Sequence, residues 1–419
     1  WMPLVKSFVS TLPKVLEKHA EDIKTMLQWI LDPCITWAIK YGRFPMQISD
    51  MMMANTTLVL MRMWFAEYAA EGAKVPKDFE DQINNLIFYS VIWSVGVALE
   101  EGSRSGFHDL LVRLNKCEDI RETMKIDLDY ASTWEPKALG IKLNDAPNVF
   151  DITYEKSKNA WKDWMQTIPA YQVPKGGKFH ELIIPTIDSL RSAFFLRLTI
   201  DNQKHILFTG PTGTGKTITI LNELNKNYFN EDYSYLATAF SGQTQANQVQ
   251  RIIEGKVNTR RRKGYFGPED RKKYMVIFID DVNMPAKEKY GAQPPIELLR
   301  QWMDYGGWYD LETKEFKYLQ DIQFIAAMGP PSAGRNSITQ RYSRHFNIHY
   351  VEPFSTGSLQ RIFTYVLDWY FMNGVKTQLP KSILNLRDNI VNSTIELYNK
   401  IKTSKELLPT PSKSHYVYN

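Results

Sequence analysis

Along the first 115 residues, apolar positions recur at the 3.6-residue spacing of a helix face. Val5, Phe8, Val9 and Leu12 make one stripe, and Ile23, Met26, Leu27, Ile30 and Leu31 another, with Pro13 and Pro33 expected as boundaries. The Met- and aromatic-rich run from Met51 to Phe65 reads as core packing between helices rather than an adaptable binding surface. After a turn around Gly72 to Asp78, Ile83 to Leu99 and Phe107 to Leu114 continue the helical pattern. From Lys116 to Gly177 the period is lost. There β-prone Val149, Phe150, Ile152 and Tyr154 alternate with Pro136, Pro147, Pro169 and Pro174, which predicts an ordered connector, and Trp161 and Trp164 are expected to anchor it rather than to stack a base.

Further on, the pattern alternates strand and helix. Strands are expected at His205–Thr209, Tyr235–Phe240, Tyr274–Asp281, Asp321–Met328 and Phe346–Val351, and helices at Ile187–Leu198, Ile218–Lys226, Thr244–Ile253 and 296–303. Such alternation predicts a parallel α/β sheet. The basic run Arg260 to Gly264 reads as a solvated loop and Gly306 to Asp310 as a hairpin tip. From Pro353 onward the pattern is helical again.

Chemistry concentrates behind the first of these strands. Gly210, Pro211, Thr212, Gly213, Thr214, Gly215, Lys216 and Thr217 complete the P-loop pattern G-x-x-x-x-G-K-[ST]. Its glycines let backbone N–H groups wrap a polyphosphate, Lys216 sets a point charge between the outer phosphates, and Thr217 offers a hydroxyl to Mg²⁺. About sixty residues later, the wholly apolar run Tyr274–Ile279 ends in Asp280 and Asp281. Carboxylates at the tip of a neighbouring strand suit a magnesium water shell at Asp280 and the orientation of an attacking water at Asp281. The stretch His180 to Thr186 is either the backbone that lies along an adenine ring, at Ile184, Pro185 and Thr186, or an ordinary edge strand.

Bulk composition narrows the classes. The 419 residues carry a net charge of +5, and their basic residues are interspersed with acidic ones, which gives no case for nucleic acid. Cys34 and Cys117 have no second ligand nearby, so neither a disulfide framework nor a zinc site is expected, and a reducing, cytoplasmic compartment is. No apolar run reaches membrane-spanning length, the opening Trp1-Met2-Pro3 is no signal peptide, and the chain is expected to be a piece of something longer.

The order of these motifs resembles a known family. The P-loop, FIDDVNMPAKEKYGAQPPIELLRQWMDYGGWYD, IQFIAAMGPP and RYSRHFNI together are similar to the third AAA+ module of a dynein heavy chain, of the ciliary, inner-arm kind. Residues 1–115 resemble the helical small subdomain of the second module. The resemblance implies an α/β P-loop NTPase (AAA+) sheet with helices on both faces at 178–352, a connector at 116–177 and an incomplete small subdomain at 353–419. SHYVYN resembles the point where the last helices of that subdomain begin, with the sensor-2 arginine beyond it.

What the family implies is an ATP-driven, minus-end-directed microtubule motor of the axoneme, with intermediate and light chains and the other AAA+ modules of the same chain as partners. ATP or ADP with Mg would sit on Gly210 to Thr217 and Asp280. Arg344 is the expected finger toward the preceding module's nucleotide, with Arg341 second. Two departures from the family stand out: Asp281 where active sites usually carry Glu, and Met328-Gly329 where a polar sensor-1 residue often ends the fourth strand. Both favour a regulatory site over fast hydrolysis. A hydrolytically competent site that gates the motor and a non-motor remodelling ATPase are the alternatives, while a GTPase lacks its N-K-x-D.

Overall fold

The computed structural model describes residues 1–404 apart from 71, 77, 132, 138, 142–147, 169–170, 172–177, 180–181, 227–228, 332–333 and 375–379. Pro147, Pro169, Pro174, His180, Glu181 and the terminal SHYVYN lie outside the described residues.

Helices α1 (Met2–Ser10), α2 (Ala20–Tyr41), α3 (Asp50–Phe65), α4 (Phe79–Val91) and α5 (Glu101–Asn115) form an N-terminal bundle, with a one-turn α6 (Ile120–Thr123) after it. Met53, Met61 and Met63 are buried in it, as core packing requires. Pro13 does precede a helical turn, but Pro33 is no boundary, since it lies inside the 22-residue α2. A proline there leaves the carbonyl four residues back without its helical donor. That carbonyl is Trp29 O, and it accepts the indole N–H of Trp134 at 3.0 Å. In return Trp29 Nε1 donates to Glu135 O at 2.7 Å, with the two indoles stacked 5.9 Å apart. The connector thus supplies the missing bond. Also unlike the expectation, α4 stops at Val91 and gives way to a π-turn at Ile92–Gly96 instead of running to Leu99.

The connector itself holds an antiparallel hairpin, β1 (Ile152–Glu155) and β2 (Ala160–Asp163). Trp161 packs against Tyr89 and Phe88 and donates to Asn85 Oδ1 at 2.8 Å, and Trp164 packs on Trp93. Both indoles are buried anchors.

The α/β region runs α7 (Ile187–Asp201), β3 (Ile206–Thr209), α8 (Lys216–Leu224), α9 (Phe229–Asp232), β4 (Tyr233–Ala239), α10 (Ala246–Glu254), β5 (Thr259–Arg262), β6 (Tyr265–Gly267), β7 (Tyr274–Asp280), α11 (Pro294–Tyr305), β8 (Gly307–Tyr309), β9 (Phe316–Leu319), β10 (Ile322–Met328), α12 (Gln340–Ser343) and β11 (Asn347–Tyr350). Helices α13 (Thr356–Trp369), α14 (Lys381–Leu384) and α15 (Arg387–Thr403) follow. Five strands pair in parallel in the order β11-β3-β10-β7-β4. Every residue of β10 is buried, as a central strand covered on both faces must be. Because β10 separates β3 from β7, the aspartate-bearing strand is not the immediate neighbour of the P-loop strand, contrary to the sequence expectation.

Two further expectations change. The basic run is not a loop: Thr259–Arg262 pairs with Tyr265–Gly267 in a second sheet of order β5-β6-β9-β8, and Arg262 lies 3.7 Å from the centre of the Tyr265 ring. Gly306 is the left-handed cap of α11, and Gly307–Tyr309 pairs with Phe316–Leu319, so the hairpin turn falls at 310–315 and not at 306–310. Burial of Trp308, whose Nε1 donates to Glu254 Oε1 at 2.8 Å, ties this sheet to α10.

The N-terminal bundle and the sheet share one core. Trp93 stacks on Phe195 of α7 at 4.6 Å and lies parallel to His349 of β11. Burial pushes the His349 imidazole down to about 3, which keeps it neutral within this aromatic layer. Arg104 of α5, itself buried, donates to the carbonyls of Val97, Leu99 and Tyr350 and pairs with Glu352 at 2.9 Å.

Candidate functional site

The turn after β3 is shaped by backbone constraints. Gly210 has φ +154°, and a Cβ there would stand 2.2 Å from Val351 O at the end of β11, so only glycine lets the two strand ends approach. Gly215 takes a left-handed conformation, φ +77°, as the N-cap of α8. The loop therefore delivers the amino end of α8, with its unpaired N–H groups, to the carboxyl edge of the sheet.

Lys216 reaches back across this loop, donating to Gly210 O at 2.8 Å, to Pro211 O and to Thr214 Oγ1 at 3.2 Å. Burial, followed by the nearby Arg335 guanidinium, draws its ammonium down to about 8 against the opposing pull of Asp280 and Asp281. The Thr217 hydroxyl donates to Asp280 Oδ2 at 2.6 Å. Although β10 intervenes between their strands, the helix start and the strand tip meet over its end. A hydroxyl and a carboxylate so placed form the oxygen donor set that a magnesium ion retaining several waters takes up.

Asp281 follows in a left-handed conformation, φ +49°, which short Asp tolerates better than most side chains. Its N–H donates to Asp280 Oδ1 at 3.0 Å, and its own Oδ1 accepts from Arg335 Nη2 at 3.2 Å.

On the other side of Gly213–Thr219 opens a cavity of about 390 Å³, lined mainly by apolar side chains such as Phe179, Ile183, Ile218, Phe354 and Ile362. Its size and apolar walls suit a purine and ribose, while the glycine loop, Lys216 and the Thr217–Asp280 pair suit the phosphates and metal. Ile184 and Thr186 line the cavity, but the segment 182–186 forms neither an edge strand nor an adenine-side strand. Thr186 is instead the N-cap of α7, accepting from Ser189 N at 3.2 Å, and Pro185 O accepts from Arg361 Nε of α13 at 2.9 Å. The proline leaves one donor fewer for strand pairing, and capping of α7 fixes the chain's entry.

Comparison with known proteins bears on the same residues. Residues 171–354 match a family model described as the P-loop containing dynein motor region, and residues 23–166 match one described as the dynein heavy chain AAA lid domain. The whole chain aligns with human dynein axonemal heavy chain 3 at 36% identity, covering 10% of that protein. It aligns equally fully with mouse dynein axonemal heavy chain 12 at 36%, covering 13%, and with mouse dynein axonemal heavy chain 1 at 35%, covering 10%. The chain belongs to the dynein heavy chain family. It spans about a tenth of the length of these relatives, and its five-stranded parallel sheet is the α/β fold of an AAA+ motor region.

In this dynein chain Arg341 and Arg344 are not brought to the P-loop. Both line a different cavity, where Gln340 and His345 face Leu4, Ser49, Met52 and Asn55 of the N-terminal bundle. Arg344 Nη2 is paired with Asp304 Oδ1 at 2.6 Å and its side chain is half exposed. The two arginines thus stand at the seam with Ser49, Met52 and Asn55, within the residues that match the AAA lid domain.

Sequence reading passed over two residues that belong to this dynein P-loop site, Arg335 and Asn283. Asn283, fully buried, donates to Gly329 O at 2.9 Å and Asn336 O at 3.1 Å. Only the adjacency of β7 and β10 makes them neighbours. The one signal in the sequence was Asn283 itself, a polar residue two places beyond the aspartates, where buried amides tend to hold loops.

Proposed function

We propose that residues 178–352, with the helices after 353, form the third AAA+ module of a ciliary dynein heavy chain, joined through 116–177 to the small subdomain of the second module at 1–115. The module binds ATP or ADP with Mg on Gly210–Thr217, Asp280 and the cavity beside Ile184 and Thr186. It turns nucleotide over slowly or not at all, and it regulates a minus-end-directed microtubule motor of the axoneme that acts with its intermediate and light chains. The observation that carries this reading is the Thr217–Asp280 contact at 2.6 Å beneath a glycine loop that cannot hold a Cβ at position 210.

When bound, Mg²⁺ neutralises phosphate charge and withdraws electrons from the terminal phosphoryl group. The chain's residues do the rest. Lys216 orients the phosphates, the α8 N–H groups donate to their oxygens, and Thr217 with Asp280 orders the metal's waters. Slow turnover is supported by the state of Asp281. Its carboxylate is shorter than Glu by a methylene, where a shift of about 1 Å can cost about a hundredfold in rate. It is also engaged by Arg335. Arg344, at the seam with the bundle, is the residue we assign to the preceding module's nucleotide, with Arg341 beside it.

Two measurements test the reading. Equilibrium binding of Mg-ADP and Mg-ATP to this chain should fall at least about a hundredfold in Lys216→Ala; unchanged binding refutes the site. Single-turnover hydrolysis in the intact motor should speed up in Asp281→Glu, and fast turnover at the wild-type site would overturn the regulatory assignment.

A further inference from the structure

Residues 251–273 hold nine basic and three acidic residues, a net +6, while the whole chain carries +5. The remainder is therefore close to neutral, and the fold gathers the excess in one place. Arg260 and Arg262 stand on β5 and Lys263 on the turn after it, and the turn before β7 folds back so that Arg271 Nη2 donates to Arg260 O at 3.4 Å. These four and Lys272 are exposed, and among the described residues none of the five forms an ion pair. Arg261 turns inward instead, donating to Pro268 O at 2.9 Å and facing Asp321 at 3.9 Å.

Beside this cluster an aromatic stripe crosses the sheet. Arg262 lies over the Tyr265 ring, Tyr265 stacks on Tyr318 of β9 at 4.7 Å, and Phe316 meets Tyr318 and Tyr309 of β8 edge-on, at 4.9 and 5.2 Å. Alternation along β8 and β9 sends Trp308 and Leu319 the other way, into the core. The outer face is left open, with Tyr309 58% and Tyr318 40% exposed.

Protection of a sheet edge explains part of this. Charged side chains and a bulge, such as the register shift between Arg260 and Arg262, keep an edge strand from pairing with another chain. That accounts for neither Arg271 and Lys272, which lie off the strand, nor the row of rings running inward from the edge. Arginine and tyrosine are among the side chains that dominate protein–protein hot spots.

We infer that the outer face of the β5-β6-β9-β8 sheet docks an acidic segment of a partner polypeptide, with carboxylates on the five cations and apolar side chains on the tyrosines. Charge complementarity selects the partner, because uncompensated cations attract acidic groups and steer their approach. A guanidinium packed on a ring, as Arg262 is on Tyr265, keeps its N–H edge free for a carboxylate. The rings favour a polypeptide over a nucleic acid. Stacked bases need successive parallel platforms, whereas Tyr318, Phe316 and Tyr309 meet at 67° and 85°. None of these residues lines the nucleotide cavity, so the inference stands apart from the nucleotide reading.

The test uses a fluorescein-labelled peptide of glutamates interspersed with leucines, followed by anisotropy with this chain and with the intact motor. Binding is expected in both, at least about tenfold weaker when salt rises from about 0.05 M to about 0.5 M. Arg260→Glu with Lys263→Glu, and separately Arg271→Glu with Lys272→Glu off the strand, are each expected to weaken it at least about tenfold, and Tyr309→Ser about threefold to tenfold. Mg-ADP affinity in the same variants is expected to match wild type, which shows that they are folded. No binding to the chain, or binding unchanged in the Arg271→Glu, Lys272→Glu variant, overturns the inference. So does tighter binding of a single-stranded RNA or of vesicles containing anionic lipid than of the peptide. Binding by the chain but not by the intact motor would mean that the longer protein covers this face itself, which also overturns it.

Discussion

Replacing Arg104 with alanine tests how the N-terminal bundle is fastened to the sheet. The guanidinium is 7% exposed and serves four acceptors: Leu99 O, Val97 O, Tyr350 O and the Glu352 carboxylate. Val97 O keeps a second donor in Tyr350 N, so truncation strands Leu99 O and Tyr350 O and leaves Glu352 unpaired. Breaking a buried pair from one side costs about 3–5 kcal/mol. The lower end applies here, because Glu352 is 22% exposed and burial already raises its pKa, so it can take up a proton in place of its partner. The expected loss is about 3 kcal/mol, read from urea unfolding of wild type, Arg104→Ala, Glu352→Gln and the double variant. The cycle should show a coupling of about 1–2 kcal/mol between the two side chains. Tryptophan emission, which comes mainly from bundle and connector, and helix content, which is spread over the whole chain, should cease to coincide in Arg104→Ala. A loss below about 1 kcal/mol with zero coupling would mean that the aromatic layer of Trp93 and Phe195 holds the joint and the arginine does not.

Gly210→Ala should lower stability by about 1–3 kcal/mol through the clash with Val351 O and weaken nucleotide binding at least about tenfold, both measurable by calorimetry. The depressed Lys216 pKa has a definite pH signature. The folded value, about 8, lies below that of the unfolded chain, so between pH 8 and 10.5 the unfolded state holds more protons and this group's contribution to stability rises with pH. Nucleotide affinity runs the other way, since it needs the ammonium: it should be flat below about pH 8 and fall above it, and a profile unchanged in Lys216→Ala would exclude that assignment. Trp134→Phe removes the donor to Trp29 O beside Pro33 and should cost about 1–2 kcal/mol in denaturant unfolding, whereas the same change in Pro33→Ala background should cost less, because the helix then supplies its own N–H.

Sequence alone determined those features that live in local backbone chemistry or in strict period. The P-loop was legible because its glycines allow its conformation, and β7 and β10 because a strand covered on both faces is apolar along most of its length. Bundle helices were legible from spacing, though Pro33 was misread, since the donor that rescues the helix lies 105 residues away in Trp134. The β5–β6 hairpin is local, with Arg262 opposite Tyr265, but its charged side chains suggested solvent, and β9, the strand that builds it into a sheet, lies about fifty residues on. What the tertiary structure decided was adjacency. The insertion of β10 between β3 and β7, the delivery of Arg335 to Asp281, and the seating of Arg341 and Arg344 against the bundle all depend on strand order and loop path. Such contacts are set by which surfaces bury one another, and a linear pattern of side chains records the tendency to be buried without recording against what.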